Sequence, residues 1–213
     1  MSISRDDALA WIKACAAVIA ENRTYLTELD AAIGDADHGV NMDRGFTAVV
    51  NKLPEFGDKD LGTIFKTVGM TLISTVGGAG GPLYGTFFLQ IGMKTVGKME
   101  LSLADWADAL EAALNGVLMR GKAELGDKTM VDALTPAVNA LKQALQDKLP
   151  FNKALTLSAQ AAEDGMKGTI PLVAHKGRAS YLGERSAGHQ DPGATSTHLI
   201  LNAAAETWKN VQD

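Results

Sequence analysis

The sequence is poor in several things, and each shortage narrows what the chain can be. It has one cysteine, Cys15, so no disulfide framework and no cysteine-based zinc site can form within one chain. Cys15 falls among Trp11, Ile12, Val18 and Ile19 at helical spacing, which reads as a buried thiol rather than a nucleophile. Positive charge is not in excess: 20 Lys and Arg stand against 25 Asp and Glu, which argues against nucleic acid as a partner. Charges interrupt every apolar stretch, and the N-terminus, MSISRDDALAWIKACAAVIAENR, is acidic where a signal peptide needs a basic start. No membrane association is expected, and a cytoplasmic location is the default. Runs of alternating Val, Ile, Thr and Tyr are missing. Thr169 to Ala174 is the one plausible short strand, so a sheet-based nucleotide fold has little support. A Walker A search yields only Gly116 to Lys122, where Ala123 replaces the required Ser or Thr and the segment ends a helix instead of following a strand.

What the chain does have is apolar residues at three and four. Leu9, Trp11, Ile12, Cys15, Val18 and Ile19 predict an amphipathic helix from Ser4, extended by Tyr25, Leu26 and Leu29 toward Asp30. Helices are further predicted at about 42–52, 61–74, 82–96, 103–120, 129–146, 152–168 and 194–209, about eight in all. The capping box Ser102-Leu103-Ala104-Asp105, Gly121 after the fifth helix and Asp191-Pro192 before the last supply start and stop signals. With no linker-like tract or fixed-period repeat, 1–213 reads as a single all-α domain, a bundle or barrel of antiparallel helices.

Three segments carry candidate chemistry. Asp30, Asp35 and Asp37 straddle a probable helix end at Gly34, where chain reversal could aim three carboxylates at one spot. Carboxylates so placed repel unless a cation neutralises them, and magnesium, with its preference for hard oxygen ligands, fits best; two ions are conceivable. The alternative is a polar turn from Gly34 to Asn41 whose aspartates cap a helix beginning at Met42. An EF-hand is excluded: counting from Asp35, Gly39, Val40 and Phe46 fall where an oxygen ligand, a glycine and a glutamate are needed. Next, Gly77-Gly78-Ala79-Gly80-Gly81-Pro82 is a glycine-rich loop leading into a helix with Pro82 at its first position, suited either to an anion or to close helix packing. Last, GRASYLGERSAGHQDPGATS, Gly177 to Ser196, is a long loop in which Arg178 and Arg185 could fork onto phosphate or form surface ion pairs. His189 alone decides nothing, and Leu83, Leu125 and Met130 could flank an adenine or belong to the core.

Together LDAAIGDADHGVNMDRGF, GGAGGPLYGTFF, RGKAELGDKTM and GRASYLGERSAGHQDPGATS resemble the L subunit of bacterial dihydroxyacetone kinase along essentially the whole chain. The resemblance implies an eight-helix barrel with ADP or ATP at one end, its diphosphate held by two magnesium ions on Asp30, Asp35 and Asp37. By the same carry-over His38, Gly39, Val40, Asn41, Ala79, Gly80, Gly121, Met130, Arg178, Asp191, Pro192 and Gly193 surround the nucleotide. Gly80 departs from the family, which usually carries serine there. The resemblance also implies partners: a K subunit that holds dihydroxyacetone through its own histidine, and a phosphohistidine M subunit of the sugar phosphotransferase system that rephosphorylates bound ADP. In a related arrangement free, exchanging ATP is the donor; the short, unfused chain favours the first. A nucleotide-binding regulator of a transcription factor and a metal-dependent phosphohydrolase are the competing readings.

Overall fold

The computed structural model describes residues 2–211, and among these almost all regular structure is helical. Nine α-helices follow one another: α1 (Arg5–Glu21), α2 (Arg23–Ile33), α3 (His38–Lys52), α4 (Leu61–Thr75), α5 (Gly80–Lys94), α6 (Leu103–Gly121), α7 (Val131–Gln146), α8 (Phe151–Gly168) and α9 (Pro192–Trp208). Turns of 3-10 helix occupy Leu53–Phe56 and Arg178–Ser186. The chain is all-α, as the helical spacing predicts.

The count is nine because the expected first helix is two. At Asn22 both the backbone N–H and the side-chain amide donate to the Val18 carbonyl, at 3.1 and 2.8 Å, closing α1 before α2 begins. Thr169–Ala174 is not a strand. It is a turn, with the Ile170 and Leu172 amides donating back to Lys167 and Thr169, and no strand lies beside it. The two strands present are β1 (Ile3–Ser4) and β2 (Glu100–Leu101), antiparallel, Ile3 opposite Leu101. They bring together two helix starts, each closed by a capping box: Ser4 with Asp7 on α1 and Ser102 with Asp105 on α6.

Neighbouring helices pack in chain order from α3 to α9, while α1 packs on both α3 and α9. Inside lies an aromatic cluster. The Trp11 and Trp208 rings each meet Trp106 edge-on, with centroids 5.2 and 5.0 Å apart, and Phe65 and Phe88 pack on Trp11. Two of the three indole donors are satisfied by carbonyls, Trp11 Nε1 on Ile200 and Trp208 Nε1 on Asp7, each at 3.0 Å. Cys15 is fully buried nearby, and burial pushes its thiol well above the usual range, as expected of an inert core thiol.

Trp106 lies in the first turn of α6 and Gly121 ends that helix, so the two are about 22 Å apart along the axis. In α9 the order is reversed, with Trp208 last and Pro192 first. The two helices therefore run antiparallel, with their aromatic ends together and their other ends at a cleft. No helix among the described residues is long and apolar enough to cross a membrane.

Candidate functional site

The cleft is built first around Asp30, in the last turn of α2. Gly34 ends that helix, its amide 2.5 Å from the Asp30 carbonyl, and a Cβ there would overlap the Asp30 carboxylate. Ala36 takes the left-handed backbone at φ 60, which doubles the chain back so that the Asp37 and His38 amides donate to Asp30 Oδ2 at 2.8 and 3.1 Å. The start of α3 is thus capped by a carboxylate from another helix, and α3 begins at His38, four residues earlier than its apolar spacing predicts. Asp30 caps through Oδ2, while carboxylate oxygens of Asp30, Asp35 and Asp37 lie within 4.8 Å of one another. Arg178 Nε meets Asp35 Oδ2 at 2.9 Å.

Across the cleft, of about 480 Å³, runs the loop from Val76 into α5. Gly78 adopts φ 59, and α5 starts at Gly80, so Pro82 is the third helical residue rather than the first. Helix geometry leaves the Gly80 and Gly81 amides without intrahelical acceptors. Arg44 braces this side: its Nη2 donates to Asn41 Oδ1 at 2.7 Å and its Nε to the Thr75 carbonyl at 2.8 Å.

A third wall is the start of α9. Asp191 is the N-cap, accepting from the Ala194 amide at 2.6 Å while its own amide donates to Thr169 Oγ1 at 3.0 Å. Burial pushes the Asp191 carboxyl up to about 7, an effect the Ala194 amide opposes and the nearby Asp132 reinforces. Ser196, one turn in, lies 2.8 Å from His38 Nε2 and 2.6 Å from the Tyr84 hydroxyl, which also donates to the Gly193 carbonyl at 2.8 Å. This buried network pins α3, α5 and α9 to one another. Burial lowers the His38 pKa against the pull of Asp30 and Asp37, so the imidazole is neutral near pH 7. The α6–α7 loop closes the fourth side, cinched by Asp132, which accepts from the Gly126 and Thr129 amides at 2.5 and 2.7 Å.

Of the residues predicted from sequence, Asp30, Asp35, Asp37, His38, Asn41, Ala79, Gly80, Gly121, Met130, Arg178, Asp191, Pro192 and Gly193 all line this one cleft. Gly39 and Val40 do not. Gly39 faces α2, where a Cβ would overlap the Arg23 carbonyl and Thr27, and Val40 is exposed. Leu83 lines the cleft but Leu125 is 65% exposed outside it, and the His189 and Arg185 side chains are exposed as well. Sequence reasoning did not single out Tyr84, Ser196 or Lys128. The signal available was polar residues on buried helix faces: the run Thr195-Ser196-Thr197 at the start of α9 is wholly buried.

The DAK2 domain family model matches residues 32–206. The ADP-binding subunit DhaL of the PEP-dependent dihydroxyacetone kinase of Escherichia coli is 48% identical over 205 residues, 96% of this chain and 98% of that one. The ADP-binding subunit DhaL of PEP-dependent dihydroxyacetone kinase 1 of Listeria innocua is 43% identical, covering 97% and 98%. That of the PTS-dependent kinase of Lactococcus lactis is 40% identical, covering 94% and 96%. Among solved structures, the dihydroxyacetone kinase of C. freundii superposes with a TM-score of 0.72 at 28% identity over 93% of this chain, which spans about a third of that kinase, 34%. The same kinase in complex with AMP-PNP and Mg2+ gives 0.68 at 29% identity. With the family model spanning most of the sequence and DhaL relatives matching it nearly end to end, the chain belongs to the DAK2 domain family and, within it, to the DhaL group.

Proposed function

We propose that this chain is the ADP-binding subunit of a dihydroxyacetone kinase. Magnesium-bound ADP in the cleft is phosphorylated in place by a phosphohistidine protein of the sugar phosphotransferase system, and the phosphoryl group passes to dihydroxyacetone on a separate K subunit. The observation that carries this reading is the convergence of three carboxylates, a glycine-rich helix start and an arginine on one cleft. The names of the relatives, ADP-binding subunits of PEP- and PTS-dependent kinases, support it, as does the AMP-PNP and Mg2+ complex of the C. freundii kinase.

The donor set fits magnesium. Asp30, Asp35 and Asp37 offer only hard oxygens, and among the described residues the one cation paired with any of them is Arg178, on Asp35. Bound there, magnesium supplies charge neutralisation at the phosphate oxygens. The chain's own groups do the rest. The Gly80 and Gly81 amides and Arg178 donate to phosphate oxygens, and Leu83 and Met130 present apolar surface to the base. The Tyr84–Ser196–His38 network holds the walls at fixed spacing. No side chain need be phosphorylated, and His38, neutral and bonded to Ser196, positions rather than accepts. The chain works as a single cytoplasmic domain, and signalling of its phosphorylation state to a transcriptional regulator is compatible with the same site.

The test is nucleotide content. The chain is purified without added nucleotide, dialysed against magnesium buffer and denatured, and the adenine nucleotide released is measured. Near-stoichiometric ADP is expected; an empty protein would contradict a resident ADP and favour exchanging ATP.

A further inference from the structure

We infer that Lys128 is a positioning residue: its buried ammonium ties three backbone carbonyls together and so fixes the α6–α7 loop against the start of α9, two walls of the cleft. The inference rests on the nucleotide reading above for its functional consequence, though not for its geometry.

Lys128 is 1% exposed, and its Nζ donates to the carbonyls of Thr169, at 2.6 Å, of His189, and of Ile170 at 3.4 Å. An ammonium has three hydrogens, so none is left for a phosphate. A lysine beside a phosphate site invites assignment as a ligand, but this one is committed to backbone. The three carbonyls belong to two stretches: the turn after α8, and the segment just before Asp191. Among the described residues three other hydrogen bonds join those stretches, Gly188 N to the Ile170 carbonyl at 2.8 Å, Asp191 N to Thr169 Oγ1 at 3.0 Å and Ala174 N to Ser186 Oγ at 2.8 Å. Lys128 adds the α6–α7 loop to the knot, two residues before Met130. From the other side, Gly193 comes close enough that a Cβ on it would sit 3.5 Å from the Met130 amide. The spacing of Met130 from Asp191–Gly193 is therefore set through this ammonium.

Two further observations agree. Lys128 has φ 62, a left-handed backbone that a residue with a side chain adopts at a cost, and one that a glycine would take freely. Burial disfavours the ammonium and lowers its pKa, while the buried carboxyl groups of Asp132 and Asp191 act the other way and favour the charged form.

The test uses Lys128→Gly, which keeps the left-handed turn and opens room for an exogenous amine, and Lys128→Met, which keeps the stem and loses the donors. Each full chain is stripped of nucleotide. Magnesium-ADP affinity is then measured by calorimetry, and amide hydrogen exchange is followed at residues 186–192. In Lys128→Gly we expect affinity to fall by about tenfold or more and exchange at 186–192 to quicken, because buried carbonyls lose their donors. Propylammonium should restore both. Tetramethylammonium at the same ionic strength has no N–H and should restore neither. Lys128→Met should show the same losses without rescue, and it carries the comparison if Lys128→Gly does not fold. Wild-type exchange and affinity in both variants, or losses that propylammonium leaves unchanged in folded Lys128→Gly, would overturn the inference. Failure of the wild-type chain to bind magnesium-ADP would overturn the nucleotide reading instead, while the exchange data still judge the clamp.

Discussion

The two ends of the helical fold are built on opposite principles. At the aromatic end Trp11, Trp106, Trp208, Phe65 and Phe88 interlock at ring distances of 5.0 to 5.9 Å, with the Trp11 and Trp208 indole donors satisfied by carbonyls. At the cleft end the walls are glycines, left-handed residues and buried polar groups: Ala36, Gly78 and Lys128 at positive φ, with Asp30, Lys128, Asp132 and Asp191 all removed from solvent. The first end gathers apolar area and with it stability. The second holds charges that oppose burial and persists because the helices are fixed elsewhere. Stability and chemistry are thus separated along the same helices, α6 and α9 above all.

Substitutions should separate the ends. Phe88→Ala, at the aromatic end, should cost about 3–5 kcal/mol in denaturant unfolding while leaving magnesium-ADP affinity of the folded fraction unchanged. A loss of affinity in step with stability would mean that the two ends are not separable. At the cleft end the sign reverses. The folded Asp191 carboxyl is raised to about 7, so the stability from its neutral form is fully present below about pH 4 and is lost as pH rises through about 7. Asp191→Asn removes that slope, and at pH 8 it should be more stable than wild type relative to pH 5, by up to about 3 kcal/mol. Parallel pH–stability curves for the two proteins would contradict this. Asp35→Asn should lower phosphoryl transfer by about 100-fold through weaker magnesium binding, with a melting temperature near wild type because the carboxylate is partly open to solvent. The smallest effect expected is that of Gly80→Ser. A Cβ there would sit 3.3 Å from Val76 Cγ1 and 3.9 Å from Met42 Sδ, so stability should change by less than about 0.5 kcal/mol. A calorimetric titration would then show whether the hydroxyl adds to nucleotide affinity.

The same division decided what could be read from sequence. Periodicity located the helices of the aromatic end, and local caps marked the starts of α6 and α9, because Ser102 and Asp191 bond to amides three residues on. The break at Asn22 was hidden, since apolar spacing continues across it. The true start of α3 was hidden too, since its cap, Asp30, belongs to another helix. Residue types and spacing singled out the three aspartates and the glycine-rich loop, and the family resemblance supplied the rest of the nucleotide set. Tyr84, Ser196 and Lys128 escaped because their partners lie far along the chain, 112 residues away for the Tyr84–Ser196 pair and 158 for Ser196 with His38. Gly39 and Val40 came with the family resemblance; successive helical residues point in different directions, and of the four residues 38–41 it is His38 and Asn41 that line the cleft.

The central claim, that the cleft carries the phosphoryl group between partners, is tested most directly by reconstitution. The chain with its bound ADP is mixed with magnesium, a phosphorylated M subunit and a K subunit loaded with dihydroxyacetone, and dihydroxyacetone phosphate is measured in a single turnover. The account predicts product with the wild-type chain and little with Asp35→Asn; equal product from Asp35→Asn, or from the mixture lacking this chain, would contradict it.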